Sequence, residues 1–312
     1  MYLKSFPDIH WLKQQIARNF DIQRGWNGMV LPSPGFPNVI LNVSTTQAHR
    51  PSVKGPLSLF MNISGHSYCK VDQHQTKISA GQYFISNPDQ HYDLTIDSPT
   101  ATETFNIHFG KSFAEEVYAG LITEADQLLN GYFENSSSLN FYNKLSYNNP
   151  IIQQSIQNLY QEYQENKDYL YLEEQLYNIL VALLDEHRQV LKKVEQLPAS
   201  KKSTRTELYR RLAYALDYIY SHSHKNIDLA QLAQTANLSK YHFLRLFKIS
   251  FGYSPYQYLQ QIRLEKALSL LRMTTIPIKQ LAFDLGFDNA SSFSRFFFRR
   301  LKIYPQQYRD KI

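Results

Sequence analysis

Short stretches that alternate or run apolar occupy the chain from Asn27 to about residue 109, and turn residues separate them. Four of these stretches predict β-strands, at residues 57–63, 83–85, 92–96 and 104–109. Glycine, asparagine and proline mark the turns between them, and the tripeptide Asp97-Ser98-Pro99 predicts a break before the last strand. Many closely spaced strands predict a β-sandwich or a small β-barrel.

From residue 111 to residue 197 the apolar positions recur at the three- and four-residue steps of amphipathic helices. Two stripes carry the pattern: Ile151, Ile152, Ile156, Leu159, Tyr160 and Tyr163, then Leu172, Leu176, Ile179, Leu180, Leu183 and Leu184. Such stripes pack either on the strand domain or against a second copy of the chain, because both uses require the same spacing. Pro198 ends the pattern, and the aperiodic residues 198–205 predict an interdomain linker.

The same pattern of apolar, proline and tyrosine positions occurs twice in the last third of the chain. The first copy holds Leu232, Ala233, Phe243, Leu246, Phe247, Pro255, Gln257 and Tyr258. The second copy holds Leu281, Ala282, Phe293, Phe296, Phe297, Pro305, Gln307 and Tyr308. Each copy is too short to enclose a core of its own, so the repeat predicts two similar helical units packed side by side.

The second helix of each copy has one apolar face and one outward face. In the first copy Ser239 is the expected cap, Phe243, Leu246 and Phe247 face inward, and the outward side chains are Tyr241, Leu244, Arg245 and Lys248. In the second copy Phe293, Phe296 and Phe297 face inward, and the outward side chains are Ser291, Ser294, Arg295 and Phe298. A helix beginning at Pro255 connects the copies and would hold the two outward faces in a fixed relation.

Charge separates the two parts of the chain. Residues 201–312 carry 19 Lys and Arg against 7 Asp and Glu, a net +12, whereas residues 1–200 carry 14 against 20, a net −6. A basic C-terminal third predicts a polyanionic partner, and nucleic acid is the simplest one. A basic helix face with an aromatic residue suits the major groove of DNA, so we expect Arg245 and Arg295 to reach bases and Lys240 and Lys248 to meet phosphates.

These residues resemble the AraC/XylS family of bacterial transcription regulators. The resemblance rests on Leu232-Ala233-x2-Ala236, Phe243-x-Arg245-x-Phe247, Phe251-Gly252-x-Ser254-Pro255, Gly286-Phe287-Asp288, Phe293-Ser294-Arg295-Phe296-Phe297 and Pro305-x2-Tyr308. It implies two helix-turn-helix units joined by a linker helix. It also implies base contacts from Tyr241, Leu244 and Arg245 in the first unit and from Ala290, Ser291, Ser294 and Arg295 in the second. Where the family commonly has Phe-Gly before the closing turn, this chain has Leu301-Lys302, so the second closing turn is the departure from the pattern.

Residues 81–91 resemble the second motif of cupin-type barrels, with a glycine, a proline and a histidine closing a hairpin. In many members of the regulator family a cupin-like domain binds a small effector and the adjoining helices form a homodimer. The side chains that could line such a pocket by type and position are Trp26, His66, Tyr83 and His91. Structural roles in the core or at the rim are the alternative for each of them.

Two other classes of function compete with an effector-responsive regulator. A cupin-type metal-dependent enzyme would need a His-x-His pair on one strand, and the predicted strand region at residues 27–109 has none, so we expect no metal, no cofactor and no catalytic residue. Methyl-acceptor repair would need an activated thiol, and the single cysteine, Cys69, has no zinc-binding companions in the sequence. A regulator controlled by protein partners is the remaining alternative, and RNA polymerase is a further candidate partner.

The expectations combine into an α+β multidomain protein. We expect a cupin-like effector domain at 1–110, a dimerising helical segment at 111–197, a linker at 198–205 and an all-α double helix-turn-helix domain at 206–312. A length of 312 residues gives room for two or three domains with their own cores. No apolar run reaches the roughly 18 residues of a membrane span, and no signal-peptide core follows Met1, so a cytoplasmic transcription activator or repressor is expected.

Overall fold

A computed structural model describes residues 2–8, 38–122, 140–147, 149–165 and 169–311. The chain divides into two compact parts, an N-terminal unit, Met1–Leu191, and a C-terminal unit, Lys192–Ile312. The N-terminal unit contains the strands and three helices, and the C-terminal unit contains the end of the third helix and all later helices. This division agrees with the predicted fold class, in which a sheet-rich N-terminal domain precedes an all-α C-terminal domain.

The described strands of the N-terminal unit form one eight-stranded sheet. They are β1 (Tyr2–Leu3), β2 (Val39–Lys54), β3 (Ser58–Ser64), β4 (His66–Val71), β5 (His74–Ser79), β6 (Gln82–Ser86), β7 (His91–His108) and β8 (Leu145–Tyr147). The order β1-β2-β7-β3-β6-β8 runs through the sheet, and the hairpin β4-β5 joins the first half of β7. Strand β3 pairs with the second half of β7, so the long β7 carries two lobes of the sheet.

The predicted break at Asp97-Ser98-Pro99 is wrong, because β7 continues through it. The pairing of β7 with β2 jumps from Thr45 opposite Thr102 to Gln47 opposite Asp97. Residues 98–101 therefore have no paired partner on β2 and form a bulge. Proline is tolerated there because the bulge requires no ladder hydrogen bond from its nitrogen. The sequence patterns also did not single out β2, β4 and β5, which carry many polar residues.

The two faces of the sheet have different coverings. One face packs against α1 (Lys111–Ile122), α2 (Pro150–Glu165) and α3 (Tyr169–Glu195) in a core that includes Leu59, Ile107, Ile156 and Leu180. The predicted apolar stripes of residues 151–160 and 172–184 provide much of the helical side of this core. The other face is turned toward the β4-β5 hairpin, and Asn62 of β3 donates from Nδ2 to the carbonyl of Ile78 at 2.8 Å.

The C-terminal unit contains seven helices that lie wholly within its described residues. They are α4 (Lys202–Ser221), α5 (Leu229–Thr235), α6 (Lys240–Phe251), α7 (Pro255–Met273), α8 (Ile278–Asp284), α9 (Ala290–Leu301) and α10 (Pro305–Arg309). Helix α4 begins one turn earlier than the predicted start near Thr206, and its fully buried aromatic residue is Tyr209. Among the described helices of the whole chain, none is long and apolar enough to cross a membrane.

Capping side chains explain why these helices begin where they do. Asp228 and Gln231 form the predicted capping box of α5, and Ser254 and Gln257 form a second box at α7. The duplication extends to this detail, because the backbone nitrogens of Ser254 and Tyr304 donate to Gln257 and Gln307 at 2.9 and 3.2 Å. The two copies are therefore alike in local hydrogen bonding as well as in sequence.

Candidate nucleic-acid interface and sheet interior

Helix α6 presents the predicted outward face of the first unit. Ser239 caps it by accepting from the backbone nitrogen of His242, while Phe243, Leu246 and Phe247 are fully buried beneath it. The predicted contact residues all lie on the exposed side, and they are Lys240, Tyr241, Leu244, Arg245 and Lys248. Tyr241 is 79% exposed, which is unusual for a large aromatic ring without a partner surface.

Helix α9 presents the equivalent face of the second unit with smaller side chains. Asn289 caps it by accepting from the backbone nitrogen of Ser292 at 2.8 Å, and Phe293 and Phe297 are buried. Ser291 and Arg295 are exposed, whereas Ala290 and Ser294 are half-buried. The second face therefore offers less side-chain volume than the first.

Each unit turns its chain at an equivalent residue with positive φ. Asn237 has φ 49° in the turn between α5 and α6, and Gly286 has φ 82° in the turn between α8 and α9. Asparagine and glycine tolerate this left-handed region better than other residues. Each turn places its second helix across the first, as a helix-turn-helix unit requires.

The cations of both outward faces form no salt bridge with an acidic side chain in the part of the chain that the structure describes. In the described part of the C-terminal unit, Glu207 of α4 forms salt bridges with Arg210 and Arg211, at 2.7 and 2.8 Å. Hydrogen bonds from Arg210 and Arg211 hold the pKa of the Glu207 carboxyl below its usual range, despite the opposing effect of burial. Lys240, Arg245, Lys248 and Arg295 take part in no such pair among the described residues, so their charge is available to an anionic partner.

Arg299 extends the outward face of α9 and was missed by the sequence analysis. It is exposed and lies four residues after Arg295, so the two guanidinium groups project from the same side of the helix. The i, i+4 spacing of Arg295 and Arg299 was the signal that could have identified it. The first unit has Ile249 at the equivalent position, 50 residues earlier, so this charge belongs to the second unit alone.

The sheet face toward the β4-β5 hairpin is a second candidate site, because it is buried and yet rich in polar side chains. Its buried polar residues include Ser58, Asn62, Ser67, Thr76, Gln82, Ser86, Thr102, Thr104, Asn106 and His108. Ser58, Ser86 and His108 lie in one register row across three strands, and the Ser58 hydroxyl is 2.8 Å from Nδ1 of His108. Burial lowers the pKa of His108 to about 4, so its imidazole is neutral at pH 7.

Three buried polar atoms on this face have no hydrogen-bond partner among the described residues. They are Oγ1 of Thr76, Oγ of Ser86 and Nδ2 of Asn106. Buried polar groups are nearly always hydrogen-bonded in native proteins, so such atoms mark places where a water or a ligand is expected. Strands β3 to β7 contribute no Asp, Glu, Lys or Arg to the buried positions that the structure describes, so the face is polar and uncharged.

The four residues predicted to line an effector pocket lie in different surroundings. Tyr83 is buried in the core between the sheet and the helices, and its hydroxyl donates to the carboxylate of Glu186 on α3. His66 is half-buried with its ring against Tyr68, and His91 is exposed and lies 3.2 Å from the hydroxyl of Ser52. Trp26 lies outside the described residues. The structure therefore does not bring His66, Tyr83 and His91 together.

The described residues hold no cluster of three or more His, Cys, Asp or Glu side chains that could bind a metal ion. Cys69 is fully buried on β4, and burial, with a smaller effect from Asp93, raises the pKa of its thiol far above the usual range. A buried, protonated thiol is a poor nucleophile. The chemistry of methyl-acceptor repair therefore finds no support in this cysteine.

Two domain families match the sequence. An AraC-like ligand binding domain matches residues 40–180, and a helix-turn-helix domain matches residues 232–311. The first match covers strands β2 to β8, α1, α2 and the first part of α3, and the second covers the recognition helices of both helix-turn-helix units.

Similar proteins include the probable transcriptional regulator LumQ of Photobacterium leiognathi. It is 24% identical over 282 residues, which cover 90% of this chain and 98% of LumQ. The HTH-type transcriptional regulator Rv1931c of Mycobacterium tuberculosis is 38% identical over 81 residues, or 26% of this chain and 31% of its own length. Other similar regulators also match over only 31% to 41% of their own length.

A solved structure of the C-terminal domain of AraT, a response regulator from Geobacillus stearothermophilus, is 32% identical. It covers 33% of this chain and 85% of that domain, with a TM-score of 0.32.

Proposed function

Because this chain belongs to the AraC family of transcription regulators, we propose that it reads double-stranded DNA with both recognition helices, α6 and α9. The observation that supports this most is the repeated outward face, in which Arg245 and Arg295 occupy equivalent exposed positions 50 residues apart. Two such helices on one compact unit can enter successive major grooves when they lie about 34 Å apart.

Different side chains have different tasks in this proposal. Arg245 and Arg295 donate to the acceptors of a guanine edge in the major groove, because a guanidinium group can form two parallel hydrogen bonds to a base edge. Tyr241 and Leu244 supply apolar contact in the first groove, and Ala290, Ser291 and Ser294 allow close approach in the second. Lys240 and Lys248 neutralise phosphates, as does Arg299 at the far end of α9.

The test compares specific with random DNA. Duplexes selected by the wild-type chain from a random-sequence library serve as operator, and the affinities of Arg245→Ala and Arg295→Ala are measured on operator and random duplex. Each substitution is expected to cost about 1–3 kcal/mol on operator and to relax base preference at one position. Equal losses on operator and random duplex would exclude base reading and leave only phosphate contact.

We further propose that the uncharged interior face of the sheet binds a small neutral effector rich in hydroxyl or amide groups. Thr76, Ser86 and Asn106 are its expected hydrogen-bonding partners, because each has a buried polar atom without a partner among the described residues. Among the described residues, this buried face has no positive side chain that would balance the charge of an anion. This set replaces His66, Tyr83 and His91 as first choice, and Trp26 lies outside the described residues.

A thermal-shift screen against neutral polyols and sugars, with carboxylates and phosphates as the opposing panel, tests the effector proposal. A ligand at 100 times its Kd stabilises the native state by about 2.7 kcal/mol. Asn106→Leu is expected to abolish the shift, whereas His91→Gln, which changes an exposed histidine, is expected to retain it. Stabilisation by the anionic panel alone would contradict a neutral effector, and no shift at all would favour control by protein partners.

Homodimerisation through the helical segment is the third part of the proposal. Leu170 and Tyr177 lie seven residues apart on α3 and are 71% and 44% exposed, so an apolar edge of this helix is available to a second chain. Sedimentation equilibrium of the wild-type chain and of Tyr177→Glu tests it, with a dimer expected only for the wild type. A DNA-binding regulator of this kind acts in the cytoplasm, and RNA polymerase is its proposed protein partner at promoters.

A further inference from the structure

Helix α7 joins the two helix-turn-helix units, and one of its side chains contacts both the turn that precedes the first unit and the second unit. Arg263 is 5% exposed and lies in the middle of the helix. Its Nε donates to the carbonyl of Ser223 at 2.8 Å, and its Nη2 donates to the carbonyl of Lys225 at 2.9 Å. Both acceptors belong to the turn that follows α4, and α4 contacts both helices of the first unit, α5 and α6.

The same guanidinium group lies over an aromatic ring of the second unit. The Arg263 guanidinium carbon is 5.2 Å from the centre of the Phe287 ring, within the range of a cation–π contact. Phe287 in turn packs against Phe293 and Phe296 of α9, with ring centres 5.4 and 5.1 Å apart. Arg263 is thus connected through one aromatic residue to the second recognition helix.

Gly286 shows how closely the second helix-turn-helix unit approaches the turn after α4. A Cβ atom added there would lie 2.5 Å from the carbonyl oxygen of His224 and 2.7 Å from Nη2 of Arg263. Gly286 also has φ 82°, so the turn of the second unit combines an unusual conformation with close contact to the turn after α4. Asn237, the equivalent residue of the first unit, carries a side chain and is exposed.

Burying a guanidinium group is costly, and burial lowers the pKa of Arg263, while Tyr256 and Asp288 act in the opposite direction. A leucine or methionine could fill the same space without that cost. A buried charge with directed hydrogen bonds differs from an apolar side chain because it accepts only one arrangement of its partners. The contacts of Arg263 therefore favour a role in fixing geometry over a role in stability alone.

We propose that Arg263 is a positioning residue that sets the distance and rotational phase between recognition helices α6 and α9. It rests on the proposed DNA-reading function and makes the spacing of the two base-contacting segments in the operator a property of this side chain. Weakening the link loosens the spacing requirement while each helix keeps its own groove contacts.

The experiment measures the affinity of the full chain for a series of duplexes. The parent duplex is selected by the wild-type chain from random DNA, and one or two base pairs are then inserted or removed between the segments read by α6 and α9. One base pair changes the separation by about 3.4 Å and the phase by about 34°. Wild-type affinity is therefore expected to fall roughly 10-fold for one base pair, the effect of a mismatched contact.

Arg263→Gln and Phe287→Leu test the link from its two sides, and Arg272→Gln is the matched control on the same helix. Arg272 contacts the hydroxyl of Tyr308 at 2.9 Å and makes no described contact with the turn after α4. Both test variants are expected to bind the parent duplex roughly 10-fold more weakly, with a flattened spacing profile and unchanged binding to a duplex holding one segment. The control is expected to keep the wild-type profile.

An unchanged spacing profile in both test variants, shifted uniformly to weaker binding, would overturn the positioning role and leave Arg263 as a stabilising residue. Loss of binding to the single-segment duplex would overturn it as well. Phe287→Leu keeps the guanidinium hydrogen bonds and so provides a result if Arg263→Gln fails to fold. Failure of the DNA-reading function itself looks different, because the wild-type chain would then bind every duplex of the series and random DNA equally.

Discussion

Gly252 and Lys302 end the two recognition helices in the same left-handed conformation, with φ values of 77° and 59°. Each backbone nitrogen donates to a carbonyl four residues earlier, on Lys248 and Phe298, at 2.9 and 2.8 Å. The closing turn of the second helix-turn-helix unit is thus retained without glycine, and the backbone at Lys302 is strained as a result. A lysine in this region is less favourable than glycine because its Cβ crowds the following carbonyl.

Lys302→Gly is therefore expected to stabilise the second unit by about 0.5–1 kcal/mol, because the relief of strain exceeds the added flexibility of the unfolded chain. Urea denaturation followed by circular dichroism measures it. The reverse change, Gly252→Lys, is expected to cost about 1 kcal/mol through φ alone, since nothing lies within 4 Å of the added Cβ. A destabilising Lys302→Gly would mean that the lysine side chain makes a larger contribution than its conformation costs.

Gly286→Ala is expected to cost roughly 3 kcal/mol, because left-handed strain and overpacking act together. The added methyl group would lie within 3 Å of the His224 carbonyl, and backbone atoms cannot move aside cheaply. Gly252→Ala is the matched control, with a similar φ and open space around the added atom. Thermal or urea unfolding of the two variants separates the terms, and equal losses would show that the contact at Gly286 relaxes.

The buried His108 makes the stability of the N-terminal unit sensitive to acid. Its pKa is about 4 in the folded state and about 6.5 when unfolded, so the unfolded chain takes up the proton first as pH falls. Stability from this residue is present above pH 6.5 and is lost as pH falls toward 4, by about 2 kcal/mol between pH 7 and pH 5. His108→Gln should remove this component from the pH profile of urea unfolding, whereas His91→Gln should leave it unchanged.

The salt dependence of DNA binding distinguishes phosphate contacts from base contacts. Lys240→Ala and Lys248→Ala are each expected to reduce the slope of log K against log salt by about 1, because one fewer counterion is released. Lys192→Ala, on α3 and away from either recognition helix in sequence, is the control and should leave the slope unchanged. An unchanged slope in both recognition-helix variants would remove these lysines from the interface.

The two recognition helices are expected to contribute unequally to sequence discrimination. Helix α6 offers Tyr241, Leu244 and Arg245, all exposed, whereas two of the small side chains of α9, Ala290 and Ser294, are half-buried. Arg245→Ala should therefore reduce the ratio of operator to random affinity more than Arg295→Ala does on the same duplexes. The two variants are expected to differ less in total affinity, because the positive charge of Arg299 helps α9 to bind DNA of any sequence.

Local sequence determined most of the C-terminal unit. The Asp228–Gln231 and Ser254–Gln257 boxes, the Ser239 cap and the helix periodicity act within a few residues, so their pattern could be recognised without tertiary contacts. The inward and outward faces of α6 followed for the same reason. The sheet was harder, because β2 and the β4-β5 hairpin are polar strands whose pairing partners lie far away in the chain.

The doubled pattern at residues 232–308 by itself determined a pair of helix-turn-helix units with cationic outward faces, because helical period and capping are local properties. Only the tertiary structure decided how the two units are joined, because Arg263 meets Ser223 and Phe287 across 40 and 24 positions of sequence. It also decided which face of the sheet is an uncharged interior, where strand pairing places Ser58 between Ser86 and His108. Contacts between residues so distant in sequence depend on packing, which no local pattern records.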